Sequence, residues 1–162
     1  MKRGRAVLAS AAFLCLAPGT IAGLVPWWIS RWRLESPFFG FEPVRWVGVL
    51  LMAVGAVVLL ESFGRFALEG LGTPAPVLPT EHLVVKGFYR YVRNPMYIAV
   101  LSMIIGQALL LGNSSLLVYA AIVWAAFHGF VLLYEEPRLR KTYGAQYEAY
   151  CTRVRRWMPR PL

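Results

Sequence analysis

The sequence predicts an all-α integral membrane protein: four transmembrane helices followed by a C-terminal amphipathic helix at the interface. Three observations lead there. Of the 162 residues, 58% are hydrophobic and only 15% charged, whereas soluble domains carry about 25% charged residues. Three long stretches lack charge: Ala6 to Ser30, Trp46 to Leu60, and Asn94 to Tyr134, the last interrupted only by His128. One crossing takes about 20 helical residues, so the third stretch holds two crossings. The basic residues are also segregated. With the N-terminus inside, only Arg31, Arg33 and Arg45 of the 17 lysines and arginines fall outside, as the positive-inside rule requires.

The elements follow in order. A first span is expected near 6–28, where Pro18 and Pro26 should kink it or end it early. A basic start before an apolar run could also read as a secretory signal. The run continues through Val25, too long for an ordinary signal core. The loop SRWRLESPFFGFEP has the aromatic content of an interfacial belt. The second span, near 44–67, carries Glu61 and Arg65 on one face at i, i+4. That pair is either snorkelling at the interface or reaching into a cytoplasm-facing cavity. The loop GLGTPAPVLPTEHLVVKGFYRYVRNP is kept extended at its start by Pro74, Pro76 and Pro79. Spans near 96–111 and 115–134 are joined by Gly112-Asn113-Ser114-Ser115. Beyond them Leu139, Tyr143, Tyr147, Tyr150, Val154 and Trp157 recur at steps of three and four. That stripe predicts an amphipathic helix on the membrane surface, with Gly144 able to bend it. The chain divides accordingly into two N-terminal spans, 1–68, and a site-bearing region, 69–162.

Several classes are set aside. Cys15 lies in the first span and Cys151 in the tail, so neither a disulfide nor a zinc spacing is expected, and no metal site is predicted. The net charge of +9 is a topology signal and an attraction to anionic lipid headgroups, not a nucleic-acid footprint. The absence of an internal repeat and of intramembrane charge weighs against a transporter. The expected address is a bacterial inner membrane, multi-pass, with both termini cytoplasmic.

Two polar clusters meet the membrane on that cytoplasmic side. One is Tyr89, Arg90, Arg93, Asn94 and Tyr97, at the head of the third span. The other is Glu135-Glu136, at the foot of the fourth. A short turn makes these spans antiparallel neighbours. The arginines and carboxylates are therefore within reach of one another, either as a structural ion pair or as a ligand site. His128, among Trp124 and Phe127, reads as a packed helix-face residue.

The run Gly87, Tyr89, Arg90, Arg93, Asn94, Pro95, Tyr97, then a hairpin, then Glu135, Glu136, Leu139, Tyr143, Gly144, Tyr147, Tyr150 resembles the isoprenylcysteine carboxyl methyltransferase and phospholipid methyltransferase superfamily. The likeness covers roughly residues 81–158. It implies an integral membrane enzyme that uses S-adenosylmethionine in a cytoplasm-facing pocket, with a lipophilic or amphipathic acceptor entering from the bilayer. It places cofactor contacts on Glu81, His82, Leu83, Val84, Tyr89, Asn94, Pro95, Met96, Tyr97, Glu135 and Glu136, and catalytic roles on Arg93, Asn94 and Tyr97. His82 is the imidazole nearest the motif. Two departures stand out. The family often has His where Asn94 stands, and its prenylcysteine enzymes carry a substrate-binding arginine at the position of Val131. Isoprenylcysteine-type carboxyl methylation is the expected activity. Phospholipid N-methylation is the enzymatic alternative, and a non-catalytic membrane scaffold is the alternative of another class.

Overall fold

The computed structural model describes residues 2–68 and 83–159. Glu81 and His82 lie outside the described residues. Among those described the chain is helical, and the nearest approach to a sheet is an isolated bridge between Val92 and Arg155. The helices are α1 (Lys2–Gly19), α2 (Val25–Ser30), α3 (Pro43–Leu68), α4 (Pro95–Leu111), α5 (Ser114–Phe130), α6 (Glu136–Tyr143) and α7 (Ala145–Arg153). Among the described residues, three helical stretches are long and apolar enough to cross a membrane: Ala11–Ser30, Pro43–Arg65 and Ser114–Tyr143. α4 is apolar but shorter, at 17 residues.

The prolines neither end nor break the first span. Instead a π turn, Thr20–Leu24, joins α1 to α2 just before Pro26. The Val25 amide donates to Thr20 O, which leaves Ile21 O without its ordinary helical donor. Pro26 has no N–H, so Ala22 O loses its donor too. Neighbouring helices repair both: Tyr119 OH donates to Ile21 O at 2.9 Å, and Gln107 Nε2 to Ala22 O at 2.6 Å. Backbone groups in a membrane must be satisfied in this way. The same device recurs before Pro137, where the π turn Val131–Glu135 joins α5 to α6.

α3 and α4 pack antiparallel and extremely closely. A Cβ placed on Gly48 would lie 2.5 Å from Gly106 O, and one on Gly55 would lie 2.8 Å from Ala99 O. Small residues let membrane helices approach until backbones touch. At the end away from the site, α4 stops at Gly112 in the left-handed region (φ 73). Asn113 then caps α5, accepting from the Leu116 amide at 3.2 Å and donating to Glu35 at 2.7 Å. Arg45 Nη1 donates to Leu110 O at 2.5 Å and its Nη2 to Glu35 O at 2.7 Å. The expected turn between the last two spans is thus present, and the loop before α3 is stapled to it.

The tail departs from expectation. It is not one helix. Gly144 (φ 49) splits it into α6, which continues α5, and α7. Tyr147 and Val154 are buried, and the segment after α7 returns to pair with the loop before α4, Arg93 N donating to Arg155 O at 2.9 Å. Aromatic area that could lie on a membrane is satisfied better by burial against protein, where hydroxyls also find acceptors.

Candidate active site

A cavity of about 530 Å³ opens at the end of the bundle where α4 begins. Its size falls within the range of roughly 300–1,000 Å³ usual for small-molecule sites. One part is polar, walled by Tyr89, Arg93, Asn94, Tyr97, Glu135 and Tyr150. The other is apolar and runs between α1 and α5, walled by Phe13, Ala17, Ile21, Phe63, Val100 and Phe127.

The loop before α4 is shaped by Gly87, whose φ is 60 and whose missing Cβ leaves room for the Glu61 carboxylate. Glu61 in turn receives Arg65 Nε at 2.7 Å. This half-buried pair therefore braces the site loop, and Glu61 is not part of the cavity wall. Pro95 opens α4 at its first turn, where a missing N–H costs nothing.

The adjacent glutamates have opposite environments. Glu136 is 2% exposed and surrounded by three arginines: Arg156 Nε at 2.6 Å, Arg93 Nη1 at 3.4 Å and Arg140 Nη2 at 3.4 Å. Glu135 accepts from Tyr97 OH at 2.6 Å, and among the described residues it has no ion pair. The structural ion pair and the open carboxylate both exist, one on each residue. Neighbours in sequence point about 100° apart around a helix, so only one of the two can face Arg156 while the other faces Tyr97.

Arg93 is held from several sides. Its Nη1 also approaches Cys151 Sγ at 2.7 Å, while its Nε is buried without a hydrogen-bond partner. Asn94 Nδ2 donates to Arg156 O at 3.1 Å. Trp157 closes over this region, lying edge-on to Tyr97 (6.5 Å, 64°) and donating from Nε1 to His128 Nδ1 at 3.1 Å. His128 stacks on Trp124, at 5.2 Å and 14°, so it is a packed residue, as its sequence setting suggested. Tyr150 OH donates to Tyr89 O at 2.7 Å. Burial pushes the hydroxyls of Tyr89, Tyr147 and Tyr150 above the usual tyrosine range, and Glu135 adds to the rise at Tyr89. All three stay protonated near neutrality.

Of the residues named from sequence, Leu83, Val84, Tyr89, Arg93, Asn94, Met96, Tyr97, Glu135 and Glu136 line the cavity, whereas Pro95 does not. Glu136 lines it with its carboxylate already engaged. Sequence reasoning missed the α1 and α3 walls; it had the tail cover the pocket, as the resemblance implies, but named none of Tyr143, Tyr147 and Tyr150, which line the cavity, as a contact. Phe13, Ala17 and Phe63 carry no local signal; only their packing puts them there.

A family model described as phospholipid methyltransferase matches residues 44–146, more than half of the chain. The chain is similar to protein-S-isoprenylcysteine O-methyltransferase B of Arabidopsis thaliana, 28% identical over 136 residues, or 82% of this chain and 60% of that protein. It is also similar to the protein-S-isoprenylcysteine O-methyltransferase of Schizosaccharomyces pombe, 35% identical over 78 residues, 48% of this chain and 33% of that one. A probable enzyme of the same name from Oryza sativa subsp. indica is 27% identical over 123 residues, with 61% of its length spanned. The chain thus spans between one third and about three fifths of these relatives.

Proposed function

Because the chain belongs to the phospholipid methyltransferase family, we propose that it is a membrane-embedded, S-adenosylmethionine-dependent methyltransferase acting on a lipophilic or amphipathic acceptor. The observation that carries this reading is one cavity with a polar end at Glu135 and Arg93 and an apolar end between α1 and α5. A water-soluble donor and a lipid-soluble acceptor need these two surfaces in one space.

The residues fit the cofactor. It carries a carboxylate, an amine and a sulfonium cation. The wall offers an unpartnered buried donor on Arg93, an unpaired carboxylate on Glu135, and the rings of Tyr89, Tyr97 and Tyr147. Arg93 would hold the carboxylate, Glu135 the cationic or hydroxyl groups, and the aromatic faces the sulfonium region. When bound, the cofactor supplies a methyl group already activated for displacement. The chain's own part is alignment and exclusion of water. Tyr97 fixes the Glu135 carboxylate, and Tyr147, Tyr150 and Trp157 cover the polar end. Asn94 offers hydrogen bonds there but cannot shuttle a proton.

We assign both termini to the cytoplasmic side, on the distribution of basic residues, with residues 1–68 shaping the acceptor space and 69–162 the donor space. We count α4, third in chain order, as a span as well, which makes four. At 1.5 Å per residue it is about 25 Å long, slightly short of a hydrocarbon core of about 30 Å.

Isoprenylcysteine-type carboxyl methylation is favoured by the names of the relatives. Phospholipid N-methylation is the second reading, favoured by Val131, which is 1% exposed and places no cation at the start of the π turn after α5. Calorimetric titration of S-adenosylhomocysteine into purified protein tests the donor site. One saturable site, weakened at least tenfold by Glu135→Gln, is expected. No binding in detergent or nanodiscs would leave the scaffold reading. Alkaline lability of the methylated product then separates an ester from an N-methyl lipid.

A further inference from the structure

Among the described residues, four charged ones line the cavity: Arg93, Glu135, Glu136 and Arg138. Glu136 is neutralised by Arg93, Arg140 and Arg156. Among the described residues, Arg138 has no carboxylate partner. Its Nη1 donates to Tyr134 OH at 2.7 Å, and its guanidinium carbon lies 5.8 Å from the centre of the same ring. One donor of five is thus used, and the group is tethered without being neutralised.

The setting shows what this cation could meet. Phe130, Tyr134 and Arg138 succeed one another at intervals of four along the helix, and all three line the cavity. The Phe130 and Tyr134 rings are 5.1 Å apart, and both residues are more than 40% exposed, Phe130 at 42% and Tyr134 at 43%. They form the open edge of the cavity, running from the apolar middle of the span to a charge at its end. Arg140, two residues further on, is closed by Glu136 and by Glu148 at 2.9 Å. Carboxylates are therefore plentiful on this part of the chain, and Arg138 is still left unpaired.

We propose that Arg138 reads an anionic head group on the acceptor, so that the acceptor is an amphiphile with a carboxylate or phosphate beside an apolar chain. The proposal rests on the methyltransferase reading of the cavity. The chain lies along Phe130 and Tyr134, and the oxyanion takes the free guanidinium donors, a geometry arginine serves better than lysine. Arg138 takes no part in the chemistry; it positions the acceptor and selects it by charge.

The test uses the full chain in phosphatidylcholine nanodiscs. S-adenosylhomocysteine affinity is measured first in the wild type, Arg138→Gln and Arg138→Lys, and should be the same in all three. Three probes follow: N-acetyl-S-farnesylcysteine with a free carboxylate, its uncharged carboxamide, and a lysophosphatidic acid. The wild type should bind one anionic probe at least tenfold more tightly than the carboxamide. The free-carboxylate arm identifies a carboxylate head group, the lysolipid arm a phosphate. Arg138→Gln should erase the preference and Arg138→Lys should keep part of it. Equal binding of charged and neutral probes by the wild type overturns the proposal, as does a preference that survives Arg138→Gln. If the wild type fails to bind S-adenosylhomocysteine, the cofactor reading fails and this one falls with it.

Discussion

The α3–α4 seam and the α1–α5 cleft are two helix interfaces of one bundle, built in opposite ways. In the seam, Gly48, Gly55, Ala99 and Gly106 remove side chains until backbones touch. In the cleft, Phe13, Ile21 and Phe127 stand between the helices and wall a cavity. The far end of the first span is anchored, Tyr119 OH reaching Ile21 O and Gln107 reaching Ala22 O. Lipid drives no hydrophobic association between helices, so contact has to come from fit and from polar links. Where fit is surrendered, space for a ligand appears. The lesson is that the seam supplies the rigidity against which the cleft can stay open.

The largest effect should come from breaking the seam. Gly48→Leu puts atoms against the backbone of Gly106 and Leu110, which cannot yield as a side chain can. A loss of about 3 kcal/mol or more is expected, seen as aggregation or a collapsed melting transition in detergent. Normal melting would show that the helices can separate freely.

Next comes the clamp that ties the tail to the bundle. Glu136→Ala leaves buried Arg93 and partly buried Arg156 without their counter-charge, at a cost of about 3–5 kcal/mol. Arg140 is 45% exposed, so its share is small. Thermal unfolding should shift down by many degrees, and an unchanged midpoint would demote the cluster to surface pairing.

The cleft should behave differently, losing function before stability. Tyr97→Phe removes the hydroxyl that holds Glu135 at 2.6 Å. A neutral-to-charged hydrogen bond of about 1.5 kcal/mol predicts roughly tenfold weaker S-adenosylhomocysteine binding. The melting midpoint should fall by only a few degrees. Equal affinity in the variant would remove Glu135 from the donor site.

The mildest change fills the cleft. Ala17→Phe adds bulk where α1 faces α5 and should raise the acceptor KM several-fold, with donor affinity and melting unchanged. A matching loss of donor affinity would mean that donor and acceptor share that space.

Much of this contrast was legible as pattern and not as geometry. The uncharged runs mark the helices because a bilayer leaves no other partner for backbone groups. Pro18 and Pro26 were expected to kink or end the first span. The π turn before Pro26 keeps it continuous, which depends on Gln107, 85 residues away in sequence. The tail stripe reads as one amphipathic helix, but periodicity is silent on what the stripe meets and on where the helix breaks. Here the bend at Gly144 and the bridge from Val92 to Arg155 turn it onto the site loop.

By itself the sequence determined a helical membrane chain, its turn at Gly112-Asn113, and a polar cluster at the head of α4 and the foot of α5. Composition and short-range spacing are local properties, and these features depend on nothing else. Only the tertiary structure decided that Glu136 is clamped while Glu135 is open, that Arg138 meets no carboxylate among the described residues, and that α1 and α3 help wall the site. Those outcomes depend on the direction each side chain takes around its helix. That direction is set by the accumulated twist, including the extra residue of a π turn, and by whichever distant helix packs against it.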